Sequence, residues 1–275
     1  MTIALDSVTV EYDRDLPTAR SALRSIDLVF DVGGATAVMG STGSGKTTLL
    51  EVAAGLRSPD AGSARLDGDD SPASLRSAVG LVYQFPESQF FEETVAADVG
   101  FGPRQTGVTD AEIDERVAES LSRAGLDPGV FGPRSPISLS AGEKRRAAIA
   151  CILALERPFL LLDEPTAGLD PVSRRRVVEL VEAEKESGRS VVLVTHDPEI
   201  ADRLAERVVV LRDGEVAAEG SPERIFGDGA LADAVGLSLP PRYELVRRIA
   251  LRSAERARLV AGILDVPEPW PPGPA

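Results

Sequence analysis

Apolar residues alternate with polar ones over residues 2–11, with Ile3, Leu5, Val8 and Val10 in one phase. β-Favouring runs at 26–32 and 35–39, broken by Gly33-Gly34, follow at once, so the first forty residues read as strands. A helical stretch ends near Gly55, and strands are predicted around 62–67 and 78–83. From about 86 to 155 the period becomes helical, with helices expected at 110–124 and 140–155. Thr109 is placed to cap the first of these, with Glu112 three residues on completing a capping box. Strand–helix alternation then resumes: a strand at 159–162, a helix at 171–187, a strand at 190–195, a short helix, and a hairpin over 207–219 turning at Asp213-Gly214. The last forty residues read as helical before a proline-rich end expected to fray. No internal repeat is present. The pattern predicts an α/β fold with a helical insert, in which parallel strands joined by helices open a ligand crevice at their carboxyl ends.

Composition narrows the class. The chain has 275 residues, 43% of them hydrophobic and 27% charged, enough for a sizeable core in one large domain or two small ones. The longest wholly apolar run, 147–155, is far short of the ~20 residues of a spanning helix. The first six residues show no basic stretch followed by an apolar one, so no secretory signal is predicted. A single cysteine, Cys151, excludes an internal disulfide framework or a zinc cage of several thiolates, and points to a reducing cytoplasm. The net charge of −14 disfavours a nucleic-acid partner. Only three of the thirty basic residues are lysines, so a motif built on lysine does not arise here by accident.

One of those lysines lies in such a motif. Gly40-Ser41-Thr42-Gly43-Ser44-Gly45-Lys46-Thr47-Thr48 follows a predicted strand and opens a predicted helix. Glycines let successive backbone N–H groups turn inward on a phosphate, and the helix N-terminus adds positive potential. Lys46 would reach the β- and γ-phosphates and the Thr47 hydroxyl would ligate Mg²⁺. A hydrophobic strand running into Asp163-Glu164 supplies the expected acids: Asp163 to hold Mg²⁺ through its water shell, Glu164 to polarise an attacking water. His196, the only histidine, follows another apolar strand and is expected to contact the γ-phosphate. Gln84 ends a further strand, where its amide could ligate the metal and signal to the helical insert.

Leu139-Ser140-Ala141-Gly142-Glu143 opens the helix at 140–155, with Ser140 a cap and Gly142 beside a bare helix end, a second phosphate-binding device. Two such devices in one chain make sense if two copies pair head to tail, each offering this helix end to the other's nucleotide. On these residues the chain, over roughly 3–225, resembles ABC-type ATPases: Walker A at 40–48, Q-loop at Gln84, signature at 139–143, Walker B at 159–164 and switch histidine at His196. The resemblance implies a P-loop NTPase fold with a RecA-like core, an antiparallel β subdomain and a helical subdomain over about 86–155, within an ATPase domain at 1–225. A short helical extension at 226–275 would follow. It also makes Tyr12 the aromatic that stacks on adenine and Asp170 the D-loop acid, with ATP and Mg²⁺ bound at a dimer interface. Ala141 and Glu143 depart from the usual glycine and glutamine; an extra methyl and negative charge near a γ-phosphate could weaken contact, although variants of this kind occur in active members.

The stretch 84–103, the segment 166–171 and the tail 239–245 resemble the ATPase subunits of energy-coupling factor importers, the vitamin and cobalt/nickel uptake systems. That resemblance implies a peripheral subunit on the cytoplasmic membrane face, paired with an identical copy or a paralogue. Its partners would be a membrane T component and a substrate-capturing S component. Glu92, Glu93 and Asp98 are then candidates to meet basic coupling helices. An ATPase of another ABC transporter class is the main alternative. A chromosome-type member is disfavoured because ninety-four positions between Lys46 and Ser140 leave no room for a long coiled coil. A P-loop kinase or GTPase explains neither 139–143 nor His196.

Overall fold

The computed structural model describes residues 1–13, 20–85 and 90–267. The Pro86–Gln89 part of the importer-like stretch and the proline-rich end beyond 267 lie outside the described residues. Chain order is β1 (Thr2–Tyr12), β2 (Arg20–Asp31), β3 (Ala35–Met39), α1 (Lys46–Ala53), β4 (Ala61–Leu66), α2 (Pro72–Ala78) and β5 (Val79–Val82). The helical insert follows as α3 (Val95–Arg104), α4 (Asp110–Arg123), α5 (Pro128–Phe131), a turn of 3-10 helix at Pro136–Ser138, and α6 (Ala141–Leu153). Then come β6 (Phe159–Asp163), α7 (Pro171–Glu186), β7 (Ser190–Val194), α8 (Pro198–Leu204), β8 (Arg207–Arg212) and β9 (Glu215–Gly220). The C-terminal helices are α9 (Pro222–Gly227), α10 (Gly229–Val235), α11 (Pro241–Ala250) and α12 (Ala254–Ile263).

Six strands form the central sheet in the order β5-β6-β7-β3-β8-β9, parallel except for the β8–β9 hairpin. β6 and β7 are buried along their whole length. Such strands need apolar residues on both faces, which is why they read as unbroken hydrophobic runs. Leu160, Leu162, Val191 and Leu193 pack with the helical insert. The alternate residues Phe159, Leu161, Val192 and Val194 pack with α1 and the antiparallel sheet β2-β1-β4. Because β3, β5, β6 and β7 run parallel, the segments that follow them leave one edge of the sheet together: Gly40 onward, Gln84, Glu164 and His196.

Two elements depart from the expected pattern. β2 starts at Arg20, not 26, because its alternation slips: Leu23 is buried, then Ile26, Leu28 and Phe30. Ser25 and Ser7 both adopt left-handed φ near +49°, and the β1–β2 register shifts beside them, with the Ser7 N–H donating to Asp27 at 2.7 Å. α2 was not predicted; it buries only Leu75 and Ala78, and its one signal was Ser71 as cap with Pro72 in the first turn. The capping box at Thr109 and Glu112 is present in full.

Asp98 is not an exposed acid. It is buried in α3 and its Oδ1 accepts the N–H groups of Phe91 and Glu92, both at 3.2 Å, so it organises that loop and does not face a partner. Beside it, burial and the Asp98 charge push the Cys151 thiol of α6 up to about 12. The tail is joined to the sheet: Tyr243 and Val246 of α11 and Ala257 of α12 complete one cluster with Ala37 and Met39 of β3 and Val208 and Val210 of β8. Arg242 forks onto Asp202 of α8, both bonds at 2.7 Å.

The insert is tied to the core by a buried ionic group. Arg123 of α4 donates to both oxygens of Glu184 of α7, at 3.1 and 2.5 Å, and Arg189 approaches the same carboxylate at 3.5 Å. Removing one member of a buried cluster strands its partners. Glu184→Ala is therefore expected to lower the unfolding free energy by about 2 kcal/mol, the partial exposure of Arg123 reducing the full penalty, as read by urea denaturation.

Candidate functional site: a phosphate loop facing two acids

The loop after β3 requires glycine at two points. Gly40 has φ +144°, and a Cβ there would stand 2.1 Å from the Leu211 carbonyl oxygen; Gly45 has φ +102°, and a Cβ would meet Ala22 O at 2.3 Å. Gly45 is the N-cap of α1 and offers no side-chain cap, and no acid lies in the first turn, so the positive helix end faces the loop. The Ser44 hydroxyl is buried with no hydrogen-bond partner among the described residues. A loop with unspent donors and an uncapped helix end is suited to phosphate oxygens.

Lys46 Nζ donates to the loop's own Gly40 and Ser41 carbonyls, at 2.8 and 2.7 Å. Burial lowers its pKa, opposed by the charges of Glu164 and Asp163. The Thr47 hydroxyl donates to Asp163 Oδ2 at 2.6 Å, bringing the end of β6 to the start of α1. Burial raises the Asp163 pKa, and the Thr47 bond and Lys46 oppose the rise without cancelling it. Among the described residues no group of three or more His, Cys, Asp or Glu could hold a metal ion. One hydroxyl beside one carboxylate instead suits a hard cation that takes its remaining ligands from phosphate and water.

Tyr12, Thr42, Gly43, Gly45, Lys46, Thr47, Thr48, Gln84, Asp163 and Glu164 line one cavity of about 350 Å³. A larger open groove, about 710 Å³ between the antiparallel sheet and β9, holds none of the predicted site residues. The Tyr12 hydroxyl lies 3.2 Å from Thr48 Oγ1, and its ring stands under the guanidinium groups of Arg57 at 4.6 Å and Arg20 at 5.6 Å. Sequence reasoning missed both arginines, and Arg20 also lines the cavity. The only signal for Arg20 was that it opens a strand beside the one that ends at Tyr12, and that start was hidden by the slipped alternation.

Glu164 and His196 meet. His196 Nδ1 is 2.9 and 2.8 Å from the two Glu164 carboxylate oxygens; because a carboxylate accepts, the ring presents its Nδ1–H and leaves Nε2 outward. Glu164 has a left-handed φ of +47°, a conformation a non-glycine residue keeps only where its surroundings impose it.

Of the predicted site residues, Gly40, Ser41, Ser44 and His196 do not line this cavity but adjoin residues that do, whereas Ser140, Gly142, Glu143 and Asp170 stand apart from it. Glu143 Oε2 accepts the Ser140 N–H at 2.8 Å and hydroxyl at 2.9 Å, while Ser140 Oγ accepts the Glu143 N–H: a closed capping box. The Ser140 N–H, above all, lowers the Glu143 pKa. The charge expected to stand free beside a phosphate is thus turned back on its own helix end. A Cβ at Gly142 would lie 2.3 Å from Ser173 Oγ, so glycine here lets α6 pack against α7. Asp170 caps α7, accepting from Val172 and Ser173 at 2.9 and 3.0 Å.

Comparison with known proteins follows the same outline. Residues 23–167 match the ABC transporter family. The chain is 39% identical to the energy-coupling factor transporter ATP-binding protein EcfA2 of Streptococcus pneumoniae, over 98% of this chain and 99% of that one. It is 40% identical to the EcfA2 of Symbiobacterium thermophilum, over 92% and 89%. Among solved structures it is similar to cbiO1 of Clostridium perfringens, described as part of the ABC transporter complex cbiONQ, with a TM-score of 0.74 at 29% identity over 94% of this chain and 97% of that one. It is also similar to the ATP-binding cassette MJ0796 in a dimeric post-hydrolysis state bound to ADP and Pi, with a TM-score of 0.72 at 30% identity over 80% and 98%.

The raised Asp163 pKa carries a pH signature. Between the ordinary aspartate value of 3.8 and the raised folded value, the folded state holds more protons than the unfolded one, so stability falls as pH rises through that window and stays reduced above it. Asp163→Asn removes that penalty. By calorimetry the ligand-free Asp163→Asn protein should melt above the wild type at pH 7, and the gap should narrow as pH falls through that window.

Proposed function

The chain belongs to the ABC transporter family, among the ATPase subunits of energy-coupling factor transporters, and on that premise we propose that two such protomers close on two MgATP to drive uptake of a vitamin or transition-metal ion. The observation that carries this reading is the division of the phosphate-binding parts. Thr42, Gly43, Gly45, Lys46, Asp163 and Glu164 line one cavity, and His196 is bonded to Glu164 at its edge, while the Ser140–Glu143 helix end of the same chain neither lines it nor bonds to a residue that does. A second protomer supplies that helix end. MJ0796, similar in fold, was solved as a dimer, which supports the pairing.

In this reading Tyr12 stacks on the base, and the N–H groups of residues 40–48 with Lys46 Nζ take the β- and γ-phosphates, Lys46 leaving the Gly40 and Ser41 carbonyls to do so. Mg²⁺ supplies charge neutralisation on the phosphates when bound; Thr47, Asp163 and Gln84 are the residues that would hold it. Glu164 accepts the proton of the attacking water. In the closed pair His196 turns its N–H from the Glu164 carboxylate to a γ-phosphoryl oxygen, which frees Glu164 for the water. A second protomer's Ser140 and Gly142 close the far side.

Gln84 lines this cavity, and Phe85 beside it and Phe91 and Ile137 of the insert are exposed. Exposed apolar side chains of this kind suit a membrane T component, which in turn holds the solute-capturing S component. Among the described residues no helix is long and apolar enough to cross a membrane. The reading therefore puts the protein on the cytoplasmic face, peripheral to its partners.

Two substitutions test the chemistry. Glu164→Gln should leave ATP affinity within about twofold and lower kcat by on the order of 10²–10⁴; unchanged turnover overturns the assignment. Glu143→Gln keeps a capping side chain without its charge. In the Glu164→Gln background it should strengthen ATP-dependent dimerisation, measured by sedimentation as a lower dimer dissociation constant.

A further inference from the structure

Arg145 is buried one turn into α6 and is used by neither phosphate site. Its Nη1 donates to the Glu164 carbonyl at 3.1 Å and its Nη2 to the Ala167 carbonyl at 3.3 Å. Those carbonyls bracket one turn, which the Ala167 N–H closes onto Glu164 O at 3.1 Å. The Glu164 N–H in turn donates to Val194 O of β7 at 3.0 Å. The peptide groups flanking Glu164 are thus held by β7 on one side and by α6 on the other, and the left-handed φ of Glu164 is what this double anchoring imposes. A planar guanidinium fork suits two fixed carbonyls; an ammonium on a flexible stem does not reproduce it.

α6 is also the helix whose N-terminus carries Ser140 and Gly142, and Gly142 packs against Ser173 in the first turn of α7. The start of α6, the start of α7 and the 164–167 turn therefore form one block within a single chain. We propose that Arg145 is a positioning residue. It aims the Glu164 carboxylate of its own protomer, and so makes that carboxylate sensitive to whether the α6 N-terminus has engaged the neighbouring protomer's nucleotide. The inference rests on the paired-protomer reading above and adds to it the route between the two sites.

The test uses mixed dimers of the full-length chain. Arg145→Lys in both protomers should lower kcat about 10- to 100-fold, while ATP affinity stays within about twofold and the melting temperature holds. Arg145→Gln, which retains a donor but no fork, should show the same split. In dimers with one Glu164→Gln chain, only the other Glu164 works. Placing Arg145→Lys on the chain with the intact Glu164 should lower the remaining turnover by the same 10- to 100-fold; placing it on the Glu164→Gln chain should leave that turnover. The reverse pattern would mean that Arg145 acts through the partner-facing helix end, and overturns the inference, as does full kcat in both variants. Failure of the pairing itself reads separately, as no ATP-dependent dimer of the Glu164→Gln protein.

Discussion

The short bond from the Thr47 hydroxyl to the Asp163 carboxylate joins the two halves of the site. It links the first turn of α1 to the end of β6, a strand with no exposed residue. An acid at the tip of such a strand loses most of its water, and burial accordingly raises its pKa against the help of Thr47 and Lys46. The fold tolerates this because the loop glycines let Lys46 and Thr47 come within reach, and because β3, β6 and β7 deliver their ends side by side. Packing of the sheet thus supports an arrangement of charge that would not persist on its own.

Much of this was legible in the sequence, for physical reasons. Strands buried on both faces must be continuously apolar, so β6 and β7 stood out, and the acids and histidine after them could be assigned to one edge of the sheet. The phosphate loop was legible because its glycines are obligatory at Gly40 and Gly45. The misses have causes too. A bulge at Ser25 reverses the phase of β2 and hid Arg20, and α2 buries too little to leave a periodic trace. Asp98 reads as a surface acid in any one-dimensional pattern, and only the fold turns it inward onto backbone N–H groups. The bonds of Arg145 span nineteen and twenty-two positions, and no local pattern encodes them.

The signature segment shows how one residue serves two ends. Glu143 departs from the family's usual glutamine, yet in the separate protomer it completes a cap that glutamine could also make. The difference between the two is charge alone, at a helix end meant in the proposed pair for an anion. A carboxylate there weakens the attraction between protomers relative to the amide, and leaves more of the drive for closure to the nucleotide.

The lone thiol has a practical consequence. Cys151 is half-buried against the insert's core, and burial and its acidic neighbour favour its neutral form, which disfavours attack on maleimides and oxidants. A dye or spin label introduced through a new surface cysteine would therefore report from one known address without first stripping the native residue. The chain is in effect its own unlabelled background for distance measurements during turnover.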